Sequence, residues 1–239
     1  MAKMVGFACS VRLLWLNKAA QLYSENLDEL TYKSVLNEYL SFEIDGETRL
    51  RKTREILMNI WYRDDPHLTA LRVEGFRLLQ KNPDLAPVVH LCLMFMVYPV
   101  VSDICRYMGK LFEFQDEITT AMLKQKLYDE WGERGSLEST ARRVTLTLKE
   151  LNFLEAVSRT RYRVNRVRIS DDESVNFILA GSMQVDGRSY YPFSSLTEFP
   201  FLFPFDYSVS REQLMGDARF ALSTYDATLC VALRQKQQN

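Results

Sequence analysis

A chain of 239 residues with 47% hydrophobic side chains can form one large domain or two smaller ones around a real core, which excludes a disordered tail. Nine glycines and seven prolines are too few for linkers or low-complexity tracts and favour a largely helical fold; no internal repeat is present. The formal net charge of −1 hides a segregation, because residues 134–168 hold nine basic residues against three acids, a local balance of +6 that leaves about −7 elsewhere.

The N-terminus imitates a secretory signal, with Lys3, an apolar stretch and the small residues Ala8-Cys9-Ser10. The apolar run is short and Arg12 interrupts it, so the segment reads as the start of a core helix. Residues 9–24 and 28–42 carry apolar positions at helical spacing, and Asp45 is the expected N-cap of a third helix from Glu47 to Tyr62. Asp64-Asp65-Pro66 places a capping acid and a proline where a fourth helix starts, and Asn82-Pro83 stops it near Lys81. Residues 84–98 and 100–114 supply two more apolar helices, or one helix bent at Pro99. The apolar stretch Val88–Val101, interrupted by His90 and Pro99, is about half the ~20 residues a membrane span needs. It reads as the buried central helix of a soluble, cytoplasmic protein. Cys9, Cys92, Cys105 and Cys230 lie far apart, three of them in apolar helical context, as small core residues of a reduced protein do.

Thr119–Trp131 then forms an amphipathic helix, Gly132-Glu133-Arg134-Gly135 a turn, and Ser136 opens a helix reaching Asn152. Leu123, Leu127 and Trp131 on the first, with Val144, Leu148 and Leu151 on the second, give each an apolar stripe for mutual packing. The other face of the second helix is left with Ser139, Thr140, Arg142, Arg143 and Lys149. From Leu154 the pattern shifts toward period two, and residues 154–169 read as a two-stranded ribbon turning near Arg159-Thr160. Helix, turn, helix and basic ribbon in that order make a winged helix, which puts its second helix in the DNA major groove and its wing along the backbone.

The candidate nucleic-acid contacts are Arg134, Ser139, Thr140, Arg142, Arg143, Lys149, Arg159, Arg161, Arg163, Arg166 and Arg168. Arginine pairs bidentately with phosphate or guanine, and short hydroxyls reach phosphate oxygens. On this reading affinity for duplex DNA collapses with salt and on substitution of Arg161, Arg163 and Arg166 by alanine. The competing reading is a winged helix used for protein contacts, its arginines guarding a solvated sheet edge. Against it stands the absence of acids between Val157 and Ile169. A second basic run, Arg49, Arg51, Lys52 and Arg54, opens the third helix, where positive charge opposes the helix dipole; it reads as solvated, with extension of the DNA track as the alternative.

The succession of short helices, the stretch Arg49–Arg54 leading into Ile56-Leu57-Met58-Asn59-Ile60, the apolar helix 88–98 and above all Leu123–Leu154 resemble BrxA, a small component of the BREX bacteriophage-defence systems. The likeness is one of layout, covers roughly residues 10–155 and stops at about residue 170. It implies an all-helical protein with a part similar to the antitermination factor NusB. It also implies DNA binding without catalysis, and work alongside a methyltransferase, a phosphatase-like protein and an ATPase.

In the tail, Asp171-Asp172-Glu173 reads as a solvated cap rather than a metal site. Val175–Leu179, Met183–Val185 and Tyr190-Tyr191 read as short strands, with Asp186-Gly187 as a hairpin turn. The aromatic run Phe199–Phe205, interrupted by Pro200 and Pro204, is either extended packing over the core or a partner-docking segment. Ser208 and Ser210 precede a helix from Arg211 to Met215, and Thr228–Leu233 is a final strand. Enzymatic signatures are absent: His67 and His90 are the only histidines, no cysteines stand at zinc spacing, and neither a phosphate loop nor a Gly-x-Ser-x-Gly elbow occurs.

The expected architecture is therefore mainly α: a NusB-like helical bundle over 1–115, a winged helix over 116–170 and a small α+β extension over 171–239. The expected function is a non-catalytic, cofactor-free, metal-free DNA-binding component of a BREX-like defence system. A protein scaffold docking through its aromatic tail and a winged-helix transcriptional regulator are the alternatives.

Overall fold

A computed structural model describes residues 6–133 and 135–234. The chain is mainly α. Residues 6–12 carry no regular element, so the expected core helix does not begin at Cys9; Phe7 and Val11 are nonetheless buried, and the Val11 amide donates sideways to Thr147 Oγ1 at 3.1 Å. Helices α1 (Leu13–Ser24), α2 (Glu29–Ser41), α3 (Glu47–Trp61) and α4 (Pro66–Lys81) follow. Asp28 caps α2 by accepting from the amides of Leu30 and Thr31, and Asp65 caps α4 by accepting from His67, with Pro66 in the first turn. The N-cap of α3 is not Asp45 but Gly46, at φ +91°, a backbone setting in which a side chain is strained.

Helices α5 (Ala86–Val97) and α6 (Pro99–Phe112) meet at a 116° bend, where proline opens a new helix instead of kinking the old one. No single helix among the described residues is long and apolar enough to cross a membrane. Nearly every side chain of α5 from Ala86 to Phe95 is buried, because α3, α4, α6 and a later helix over Asp172–Asp186 all pack against it. His90 lies in this core with both ring nitrogens bonded: Nδ1 accepts from Trp61 Nε1 at 3.1 Å, and Nε2 meets Asn17 Oδ1 at 2.8 Å.

After α6 come β1 (Glu117–Thr119), α7 (Thr120–Trp131), α8 (Gly135–Glu150), β2 (Leu154–Ala156) and β3 (Arg161–Val164). The three strands form one antiparallel sheet in the order β1-β3-β2. The expected ribbon ends at Val164. Val167–Ile169 is a separate strand, β4, which pairs in parallel with β6 (Phe205–Tyr207), so the chain leaves the ribbon after two residues and joins the tail.

The tail corrects the strand reading of 175–185. Asp172–Asp186 is one helix, α9, capped by Asp171 accepting from the Ser174 amide and closed by Gly187 in the left-handed region. Its hydroxyl, amide and small residues face the core together with the aliphatic ones, which is why no helical stripe is visible in the sequence. Beyond it lie β5 (Tyr191–Pro192), α10 (Arg211–Met215), β7 (Phe220–Tyr225) and β8 (Thr228–Leu233), with sheet order β5-β8-β7. Ser210 closes a capping box with Gln213.

The aromatic run is internal packing. Phe201 meets Phe95 edge-on, Phe203 stacks on Phe112, and Phe205 meets Phe153, with all three buried. The backbone at Pro200 presses onto Gly109 of α6, where a Cβ would lie 1.9 Å from the Pro200 carbonyl oxygen. That burial removes the docking alternative for this segment. One cluster of buried side chains runs from Phe7 to Val231 and unites the three segments that the sequence separates.

Candidate nucleic-acid interface

Helix α8 is held by its inner side: Leu137, Ala141, Val144 and Leu148 are buried, and α6 and α7 supply the opposing surface through residues such as Leu123 and Leu127. Trp131, half-buried, donates to Tyr107 Oη at 3.2 Å. Thr140 belongs to this inner side at 1% exposure, so it is not available to a phosphate. Arg143 is half-buried and donates to the Phe7 carbonyl at 3.4 Å, which commits it to the chain start instead of an outside ligand. Next to it Arg12 bridges Glu43, at 2.5 Å, and Glu150, at 3.4 Å, clamping residues 7–12 along one flank of α8.

The face left open presents Arg142 and Lys149 with Leu146 between them, and Ser139 at its edge donating to the Ser136 carbonyl at 3.0 Å. Glu138 is neutralised by Lys124 at 2.8 Å, and that hydrogen bond keeps its carboxyl below the usual range. Arg134 lies outside the described residues.

In the sheet, side chains alternate: Ile118, Leu154, Tyr162 and Val164 turn toward the core, while Glu117, Glu155, Arg161 and Arg163 face outward. Arg163 is placed opposite Glu117 on one side and Glu155 on the other. Glu117 takes both arginines, Arg163 at 2.8 Å and Arg161 at 3.3 Å. The acid-free stretch read in the sequence is thus not acid-free in space, because the counter-charges arrive from neighbouring strands. Arg159, at the tip of the turn from Val157 to Thr160, is exposed and forms no ion pair among the described residues.

Arg166 and Arg168 fall beyond the ribbon. Arg166 donates to the Phe203 carbonyl at 3.3 Å, and Arg168 stands on β4 opposite Asp206. The structure therefore gathers Ser139, Arg142 and Lys149 on one helix face and Arg159 at a loop tip, gives Arg143, Arg161, Arg163 and Arg166 partners of their own, buries Thr140 and leaves Arg168 exposed on β4. Of the second basic run, Arg49, Arg51 and Lys52 are exposed and unpaired among the described residues, whereas Arg54 is tied to Glu55 and Asn37.

Two residues that matter here escape sequence reading. Glu117 sits in a three-residue strand too short to show alternation, and Arg12 is 138 positions from its partner Glu150. Among the described residues no group of three or more His, Cys, Asp or Glu is placed to hold a metal ion. No family model, no curated protein and no solved structure matches this chain.

Proposed function

We propose that the protein binds duplex DNA without catalysing a reaction, using α6 to β3 as a winged helix with α8 in the major groove and the 157–160 turn as the wing tip. The observation that carries the reading is the connectivity: helix, strand, helix, helix, strand, strand, with the first strand pairing to the last in the order β1-β3-β2. This arrangement leaves the open face of α8 and the ribbon turn available, the parts such a unit uses on DNA. Those two features hold Arg142, Lys149 and Arg159, which form no ion pair among the described residues. At 16 residues α8 spans roughly 24 Å, enough to lie along a major groove about 12 Å wide.

The test is an anisotropy titration of random duplex DNA at two salt concentrations, comparing the protein with its Arg142→Ala/Lys149→Ala/Arg159→Ala variant. The expected result is salt-sensitive binding that weakens in the variant, with the slope of log K against log salt flattened by up to about 2.7, roughly 0.9 per lost phosphate contact. Absence of binding by the unaltered protein at both salt concentrations refutes the reading. A role in bacteriophage defence rests on the sequence resemblance to BrxA, and its test is recovery of a methyltransferase and an ATPase with the tagged protein from its own host.

A further inference from the structure

Glu117 lies between the two arginines of the ribbon. Its two carboxylate oxygens accept from two guanidinium groups, Oε1 from Arg163 at 2.8 Å and Oε2 from Arg161 at 3.3 Å. The register makes this unavoidable: Glu117 pairs with Arg163, Thr119 pairs with Arg161, and residues two apart on a strand share a face. With Glu155 also opposite Arg163, the outer face of the sheet carries two arginines and two glutamates and is charge-balanced. Carboxylate and phosphate offer arginine the same two-oxygen geometry.

Resting on the DNA-binding reading above, we propose that Glu117 is an internal phosphate surrogate. It holds Arg161 and Arg163 on the sheet and restricts wing contact to Arg159, so that it sets the affinity and salt dependence of duplex binding. A phosphate reaches these arginines only by displacing a carboxylate, and exchanging one anion for another releases no additional counterions. Glu117 is a positioning residue: it touches the two ribbon arginines and not the DNA.

Glu117→Gln keeps the side chain's size and removes its charge. In the same salt titration the variant is expected to bind about tenfold more tightly at the lower salt, with a slope steeper by up to about 1.8, two contacts at about 0.9 each. A gain of affinity cannot come from unfolding. Glu113→Gln, an equal change of charge at the exposed C-cap of α6, which forms no ion pair among the described residues, is the control and should leave the slope unchanged. Adding Arg161→Ala and Arg163→Ala to Glu117→Gln should return the slope to that of the unaltered protein. If the unaltered protein binds and Glu117→Gln binds equally or more weakly, or if Glu113→Gln matches its gain, the surrogate role is overturned while DNA binding stands. If neither protein binds duplex DNA, both ideas fall.

Discussion

Arg72 brings a positive charge into the interior, 2% exposed, and spends it on backbone oxygens at the end of α3. Its Nε donates to the Ile60 carbonyl and its Nη2 to that of Asn59, each at 2.7 Å, while Nη1 takes the Arg63 carbonyl. The last carbonyls of a helix have no partner within the helix and sit at the negative end of its dipole, so a planar cation with five donors suits them. Burial draws the guanidinium below its ordinary range, yet arginine stays charged. Arg72→Met keeps the apolar stem and strands three carbonyls at about 1–3 kcal/mol each. Relief from burying a charge offsets part of this, leaving a net loss of about 3–5 kcal/mol. For a chain of this size that corresponds to a fall in Tm of roughly 6–20 °C. Arg72→Lys retains charge but loses the fork, and about half the loss is expected. Urea titration followed by tryptophan fluorescence and circular dichroism gives both values. A loss below about 1 kcal/mol for the methionine variant would refute the claim that this arginine closes α3.

Burial of His90 lowers its pKa from 6.5 to about 3, so below pH 6.5 the unfolded chain takes up a proton that the folded chain refuses. Stability therefore falls as pH drops through that window, by up to ~1.4 kcal/mol per unit. The stability advantage of the unaltered protein over His90→Gln should shrink between pH 6.5 and 5, and a constant advantage would contradict the assignment. The two-residue turn joining β7 to β8 holds Asp226 at φ +44° and Ala227 at φ +62°. Glycine is the residue suited to the second position, so Ala227→Gly should stabilise by about 0.5–1 kcal/mol in thermal melts, and a lower Tm would count against this turn geometry. Gly109→Ala would force the Pro200 backbone off α6; a Tm loss equivalent to about 3 kcal/mol and faster proteolysis between residues 197 and 204 are expected, and an unchanged melt would disprove the close approach.

Much of the helical layout is legible because its punctuation is local. Asp65-Pro66, Asn82-Pro83 and Ser210 act on amides within three residues, so a reader of the chain sees both halves of each interaction. The misread helix α9 also carried its caps, Asp171 and Gly187, but its β-branched and aromatic residues outweighed them because all sides of the helix find partners. The candidate interface was less legible for a different reason. Arginines at 161 and 163 are visible as charge, but their neutralisation depends on Glu117, more than 40 positions upstream and adjacent only through strand pairing. Thr140 read as an exposed hydroxyl because helix periodicity locates a buried stripe without fixing its width, and here the stripe extends to Thr140, Thr145 and Thr147.

The parallel pairing of β4 with β6 has a geometric corollary for any duplex seated on α8. Only Asn165 and Arg166 separate β3 from that clip, and the Val167 amide is fastened to the Pro204 carbonyl at 2.8 Å, directly over the aromatic packing of α6. With the ribbon fastened in this way, the remaining surface of the molecule would keep one azimuth around a double helix bound as proposed. A second factor held by the helical bundle would meet the same duplex at a fixed rotational phase. Moving its target by about five base pairs, half of a turn of about 10.5, would carry it to the opposite side, whereas a full-turn insertion would restore the arrangement.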